Sequence, residues 1–117
     1  MSEQDPGAIK GWHAHVYYDP ATKERAAELR DRLGALHPVT LGRMHDGPVG
    51  PHPQAMFQIA FGPDTLAAVL PWLALNRGDL AVLVHPETAD AVADHRDHAV
   101  WMGAVLPLDL SVLTKTE

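Results

Sequence analysis

The chain has 117 residues, 46% of them hydrophobic and 21% charged, which fits one domain large enough to bury a core without a staple. Fifteen acidic side chains face nine basic ones, with no Lys/Arg cluster, which argues against a nucleic-acid face; the absence of cysteine excludes disulfides, thiolate metal sites and thiol nucleophiles together. The unusual count is eight histidines, spread along the chain, a composition suited to a pH sensor or a metal site.

Residues 1–10 are polar and read as a flexible lead-in without the apolar core of a signal peptide, so the expected compartment is the cytoplasm. No apolar run approaches the length of a membrane span. Residues 11–117 form the single expected domain. Its first strand, about Gly11 to Tyr18, alternates so that His13, His15 and Tyr17 share one face. Asp19-Pro20 then starts a helix whose apolar stripe is Ala26, Leu29, Leu33 and Leu36, ended by His37-Pro38.

A second strand is expected from Val39 to about His45, followed by the Gly/Pro-rich loop Asp46 to Pro53. The third strand, Gln54 to Phe61, sets Phe57, Ile59 and Phe61 on one face and Met56 and Gln58 on the other, with His52 beside the polar set. A second helix begins at Gly62-Pro63-Asp64, buries Leu66, Val69, Leu70 and Leu73, meets a kink or restart at Pro71 and stops at Asn76-Arg77-Gly78. The fourth strand is Leu80 to His85, closed by Pro86 and nearly all apolar, as a covered strand would be. A third helix is expected from Thr88 to Trp101, and the tail from Val105 to Leu113 as an edge strand or a crossing to a second subunit.

The order β-α-β-β-α-β, with an extra C-terminal helix and tail, is that of an α+β ferredoxin-like sandwich with helices on one side of an antiparallel sheet. The face away from the helices then carries His13, His15, Tyr17, Met56 and Gln58 and is free for a site or a partner subunit. With the first and third strands taken as central and parallel, and the fourth antiparallel beside the first, His13, His15, His52 and His85 all fall at one end of the sheet. Neutral imidazoles suit Fe(II), Zn(II), Cu or Ni, and a catalytic site commonly uses three protein ligands. The expected ligands are His15, His52 and His85, with His13 either behind the ligands or facing substrate. Arg43 is placed to hold a carboxylate through a two-pronged hydrogen bond. The histidines outside this set read as solvent-facing, and no phosphate loop or nucleophile elbow is visible.

Three blocks carry a family resemblance: Trp12-His-Ala-His-Val-Tyr-Tyr-Asp19, Leu41-Gly-Arg-Met-His-Asp-Gly-Pro-Val-Gly-Pro-His-Pro53, and Leu83-Val-His-Pro86 leading to Asp97-His98. They resemble the DOPA 4,5-dioxygenase family. The resemblance implies a ferredoxin-like homodimer that uses Fe(II) and O2 for extradiol opening of a catechol such as L-DOPA or caffeate, giving a yellow semialdehyde. Zn(II) or Ni(II) are the metals expected to replace iron on purification. It places the family's histidines on His13, His15, His52 and His85, with His98 in the trailing motif. His13 or His98 would exchange the catechol proton, and Arg43 and Tyr17 would bind substrate. Many non-haem iron oxygenases use two histidines and a carboxylate, and here only Glu87 and Asp46 are near in sequence. The main rival reading is a non-catalytic metal- or small-ligand-binding dimer of the same fold. The others are a cofactor-free monooxygenase and a histidine-lined dimer interface.

Overall fold

In the computed structural model, which describes residues 3–113, these patterns become five strands and three helices. Strand β1 (Gly11–Tyr17) leads to helix α1 (Lys23–Leu36), then β2 (Thr40–Leu41), β3 (Met56–Phe61), α2 (Leu66–Asn76), β4 (Val82–Glu87), α3 (Ala91–Arg96) and β5 (Val100–Met102). The strands make one open sheet in the order β2-β3-β1-β4-β5, with every neighbouring pair antiparallel. Residues 1–2 of the expected lead-in and 114–117 of the expected domain lie outside the described residues. No described helix is long and apolar enough to cross a membrane.

The helical stripes do what their spacing implies. Ala26, Leu29 and Leu33 of α1 and Val69 and Leu73 of α2 bury against Ala14, Val16, Phe57, Ile59, Phe61, Val82 and Val84. Both long helices therefore cover one sheet face, and the apolar residues of alternate strand positions meet them there. Leu36 departs from the expected stripe: it is 59% exposed, because the chain turns extended at His37 before α1 completes another buried turn. Helix α2 runs through Pro71 as one element and ends before Gly78, whose φ of 62° suits glycine. Phe57 is fully buried at the centre of this layer. Truncating it, Phe57→Ala, is expected to cost about 3–5 kcal/mol in urea unfolding. A loss below about 1 kcal/mol would mean the layer is not packed as described.

Four expectations are corrected. First, β1 and β3 are central but antiparallel, in the register Trp12↔Phe61 to Tyr17↔Met56. The α1 crossover sets β2 parallel to β1 but two places away, and β3 inserts between them running the other way. Second, the third helix is only six residues long. Asp90 caps it by accepting the Ala93 N–H at 3.0 Å, and the His98 N–H closes it on the Ala93 carbonyl at 2.9 Å. Val100, Trp101 and Met102 are good strand formers and instead pair with the edge of β4. Third, the tail supplies no edge strand. Leu106 and Leu108 pack over Tyr17, Met56 and Leu83, so the face away from the helices is partly roofed rather than open. The second strand is also shorter than its alternation suggested, with His45 adding only an isolated bridge to Met56.

Candidate metal centre

The antiparallel pairing of β1 with β4 sets His13 directly opposite His85, and His15 follows two residues along on the same face. Ring centroids are 5.9 Å apart for His13 and His15, 5.3 Å for His13 and His85, and 5.2 Å for His15 and His85. Each of the three offers a ligand-capable atom, and these atoms all lie within 4.8 Å of one another, so the group could hold a metal ion. His15 Nε2 lies 3.1 Å from His85 Nε2. Two imidazole nitrogens on one ion at about 2.1 Å would sit roughly 3.0–3.4 Å apart.

His52 reaches this cluster by another path than the expected one. Because β3 is antiparallel to β1, its start lies beside Tyr17 and not beside His13. A tight turn makes up the difference: the His52 N–H donates to the Val49 carbonyl at 2.9 Å across Gly50, whose φ is 55°. Only a glycine enters that backbone region without strain, which is why the Gly-Pro-His block has the order it has. The turn brings the His52 ring to 4.2 Å from that of His15 and its Nδ1 to 2.7 Å from the Tyr17 hydroxyl.

Hydrogen bonds assign most of the lone pairs. A carbonyl only accepts, so His85 Nδ1–H donates to the Pro86 oxygen at 2.9 Å and leaves Nε2 as its lone pair. His13 Nε2 meets Glu87 Oε1 at 3.1 Å, which makes Nε2 the donor and frees Nδ1. A carboxylate or carbonyl behind an imidazole is the usual support for a metal-binding histidine. His15 Nδ1 is buried with no partner among the described residues. A nitrogen set that is buried and convergent, with lone pairs left free on His13 and His85, fits a cation.

The electrostatics agree. Burial, followed by repulsion from His52, His85 and the other imidazoles, holds His15 well below the ordinary histidine range. Burial first and His95 second bring His52 down to about 4, and the same two causes bring His85 to about 3. Burial also lowers His13, with Glu87 opposing it in part. All four are thus neutral at pH 7, the form that binds metal. Burial pushes the Tyr17 phenol up, so it remains a donor.

One member was missed. His95 was expected at a solvent-facing helix position, yet its ring lies 3.9 Å from His85, 6.4 Å from His15 and 6.5 Å from His52. Its Nδ1–H donates to the Ala91 carbonyl at 2.8 Å, leaving Nε2 as the lone pair. The only sequence signal was a histidine on a short segment able to fold back over β4. His98 behaves differently. Its Nδ1 pairs with the buried Asp94 at 3.0 Å, and Asp94 also accepts from the Thr88 N–H at 2.7 Å and the Thr88 hydroxyl at 2.8 Å. These bonds outweigh the burial that would raise the Asp94 carboxyl, and hold it below the usual range. His98 lines a separate hollow with Trp12 and Pro86, and no ring contact joins it to the cluster among the described residues. Arg43 is exposed after the edge strand β2, with β3 and β1 between it and β4, and has no hydrogen bond or ion pair to another described residue. Asp46 pairs with Lys23 at 2.6 Å, so Glu87 is the carboxylate beside the imidazoles.

The fold and the site define a class first: an α+β protein whose open sheet gathers imidazoles able to hold a metal ion. The chain belongs to the DOPA 4,5-dioxygenase family, whose model matches residues 12–112. The DOPA 4,5-dioxygenase of Amanita muscaria is 39% identical over 90% of this chain and 50% of its own length, so the chain spans about half of that relative. An uncharacterized 21.2 kDa protein of Botryotinia fuckeliana is 39% identical over 95% of this chain and 67% of its own. The crystal structure of a Nostoc punctiforme protein, provisionally assigned as a dioxygenase, superposes with a TM-score of 0.95 at 49% identity, covering 98% of this chain and all of that one. Family and relatives together point to dioxygenase-type chemistry on a small molecule with O2.

Proposed function

We propose that the protein is an Fe(II)-dependent extradiol dioxygenase that opens a catechol ring with both atoms of O2, working in the cytoplasm as a homodimer of ferredoxin-like subunits. The observation that carries this reading is the meeting of His13, His15 and His85 on the β1/β4 register in a chain of this family. Fe(II), when bound, would supply Lewis-acid and redox chemistry toward a catechol and O2.

In this reading His13 and His52 exchange their expected roles. His13, His15 and His85 would hold the ion, and Glu87 orients His13 from behind. His52, neutral at pH 7 and set by the Tyr17 hydroxyl, accepts a catechol proton and later returns it. Tyr17 therefore acts through His52 more than on substrate. His98 and Asp94 tie α3 to Thr88 and so keep His95 against the cluster. Tyr17→Phe is expected to lower kcat about tenfold or more, with metal content and KM little changed. An unchanged kcat would remove Tyr17 from the proton path.

The test of the reading is anaerobic reconstitution with Fe(II), then air and a panel of catechols that includes caffeate and L-DOPA. Oxygen uptake matched by a yellow product, and lost in His15→Ala, is the expected result. Stoichiometric iron with no uptake on any catechol would leave a metal-binding protein without ring-cleaving activity.

A further inference from the structure

A trough of about 190 Å3 opens beside α3, walled by Trp101, Leu106, Leu108 and Leu110, with His95 and Arg96 at its side. Two contacts join it to the metal centre. The His95 ring lies 3.9 Å from His85, and Trp101 stacks on Tyr17 at 6.0 Å and 21°, the same Tyr17 whose hydroxyl meets His52. Apart from the His95 imidazole the lining is apolar with one permanent charge, the Arg96 guanidinium, whose partner Asp97 is not among the lining residues. In a chain of net charge −6 this is a local exception.

Arg96 holds Asp97 through Nε at 3.0 Å and a terminal nitrogen at 2.9 Å, but both side chains are more than half exposed. Such a pair contributes little, and it occupies only part of the guanidinium fork. An apolar cavity of roughly 150 Å3 already takes a benzene ring, so this trough accommodates a flat ring with a short arm.

We propose that the trough is the subsite for the substrate's side arm, and that the substrate is a catechol whose short apolar arm ends in a carboxylate without an ammonium group. This rests on the catechol reading above and names its substrate class. The ring lies against Trp101 with its hydroxyls toward the imidazoles, the arm runs along the leucines, and the carboxylate reaches Arg96. An amino-acid arm would bring its ammonium among leucines beside a guanidinium, and the one carboxylate near it, the exposed Asp97, is already held by Arg96. Arg96 thus takes the carboxylate-holding part expected of Arg43.

The test uses metal-free protein and ligands without ring hydroxyls, so it reads the trough apart from any ring opening. Binding of 3-phenylpropanoate and of L-phenylalanine is measured by calorimetry and by tryptophan fluorescence. The expected result is at least tenfold tighter binding of phenylpropanoate, a tenfold loss in Arg96→Gln, and a severalfold gain in Asp97→Asn, which frees the guanidinium. Both variants alter exposed side chains, and their unfolding midpoints check that the fold is kept. Equal binding of the two ligands, or an Arg96→Gln variant that binds phenylpropanoate like the parent, overturns the assignment. Ring opening without this selectivity would sink the subsite alone. Selectivity without ring opening would sink the dioxygenase reading and leave a binding trough for aryl carboxylates.

Discussion

His85→Ala and His15→Ala are each expected to lower metal affinity by at least about a hundredfold, read by competition with a calibrated chelator and by metal content after dialysis. Each removes one nitrogen from a set whose ligand atoms lie within 4.8 Å of one another, and both rings are only 2% exposed, so no neighbouring water can replace them cheaply. The losses expected for partners behind a ligand are about 10–100-fold, and a ligand itself lies at or beyond the upper end. His37→Ala serves as the control, because that ring sits against Trp72 on α2 at 6.1 Å and is not part of the cluster. His52→Ala decides the ligand set. If His52 moves protons, affinity falls less than about tenfold while kcat falls by about a hundredfold or more. If affinity collapses as it does for His85→Ala, the set is His15, His52 and His85, and His13 is the proton carrier.

Metal-free protein is expected to unfold in acid far earlier than a domain of this size without buried histidines. The folded chain holds His52 at about 4 and His85 at about 3, with His15 also well below its ordinary 6.5. Between those values and 6.5 the unfolded chain binds more protons, so stability is complete above the unfolded value and is lost as pH falls through the window. One pKa unit corresponds to about 1.4 kcal/mol. The falls from 6.5 to about 4 on His52 and to about 3 on His85 compete with a total stability of about 5–15 kcal/mol. The expected far-UV transition is cooperative, with a midpoint between about pH 6 and pH 4. Excess Zn(II) moves it to lower pH, because an ion bound only by the folded chain stabilises it. A metal-free profile flat down to about pH 4 would mean the imidazoles are not buried as neutral bases.

Local patterns were legible in the sequence because they depend on periodicity. Alternation in Trp12 to Tyr17 placed His13, His15 and Tyr17 on one face, and helical spacing in α1 picked out Ala26, Leu29 and Leu33 as buried. The absence of cysteine limited the donors to nitrogen and oxygen, and the Gly-Pro-His block marked a turn bearing a histidine. What the alternation of a strand leaves undefined is its direction relative to its neighbours. That is set by how the whole sheet closes its pairing, and it decided that β3 enters beside Tyr17, so that His52 needed the Gly50 turn to meet His15.

The same division separates His95 from His98. Three residues apart on one predicted helix, they are equivalent in sequence. Only the short α3, capped by Asp90 and tied through Asp94 to Thr88, sends His95 onto His85 and His98 onto Asp94. The choice of Glu87 over Asp46 has the same origin, since Glu87 pairs across β1 at Gly11 while Asp46 goes to Lys23 on α1. By itself the sequence determined the faces, the buried stripes, the donor chemistry and the family, because each follows from residue type and spacing along one segment. Only the tertiary structure decided which imidazoles meet, because that depends on strand direction and on how a six-residue helix is anchored, and neither is a property of any one segment.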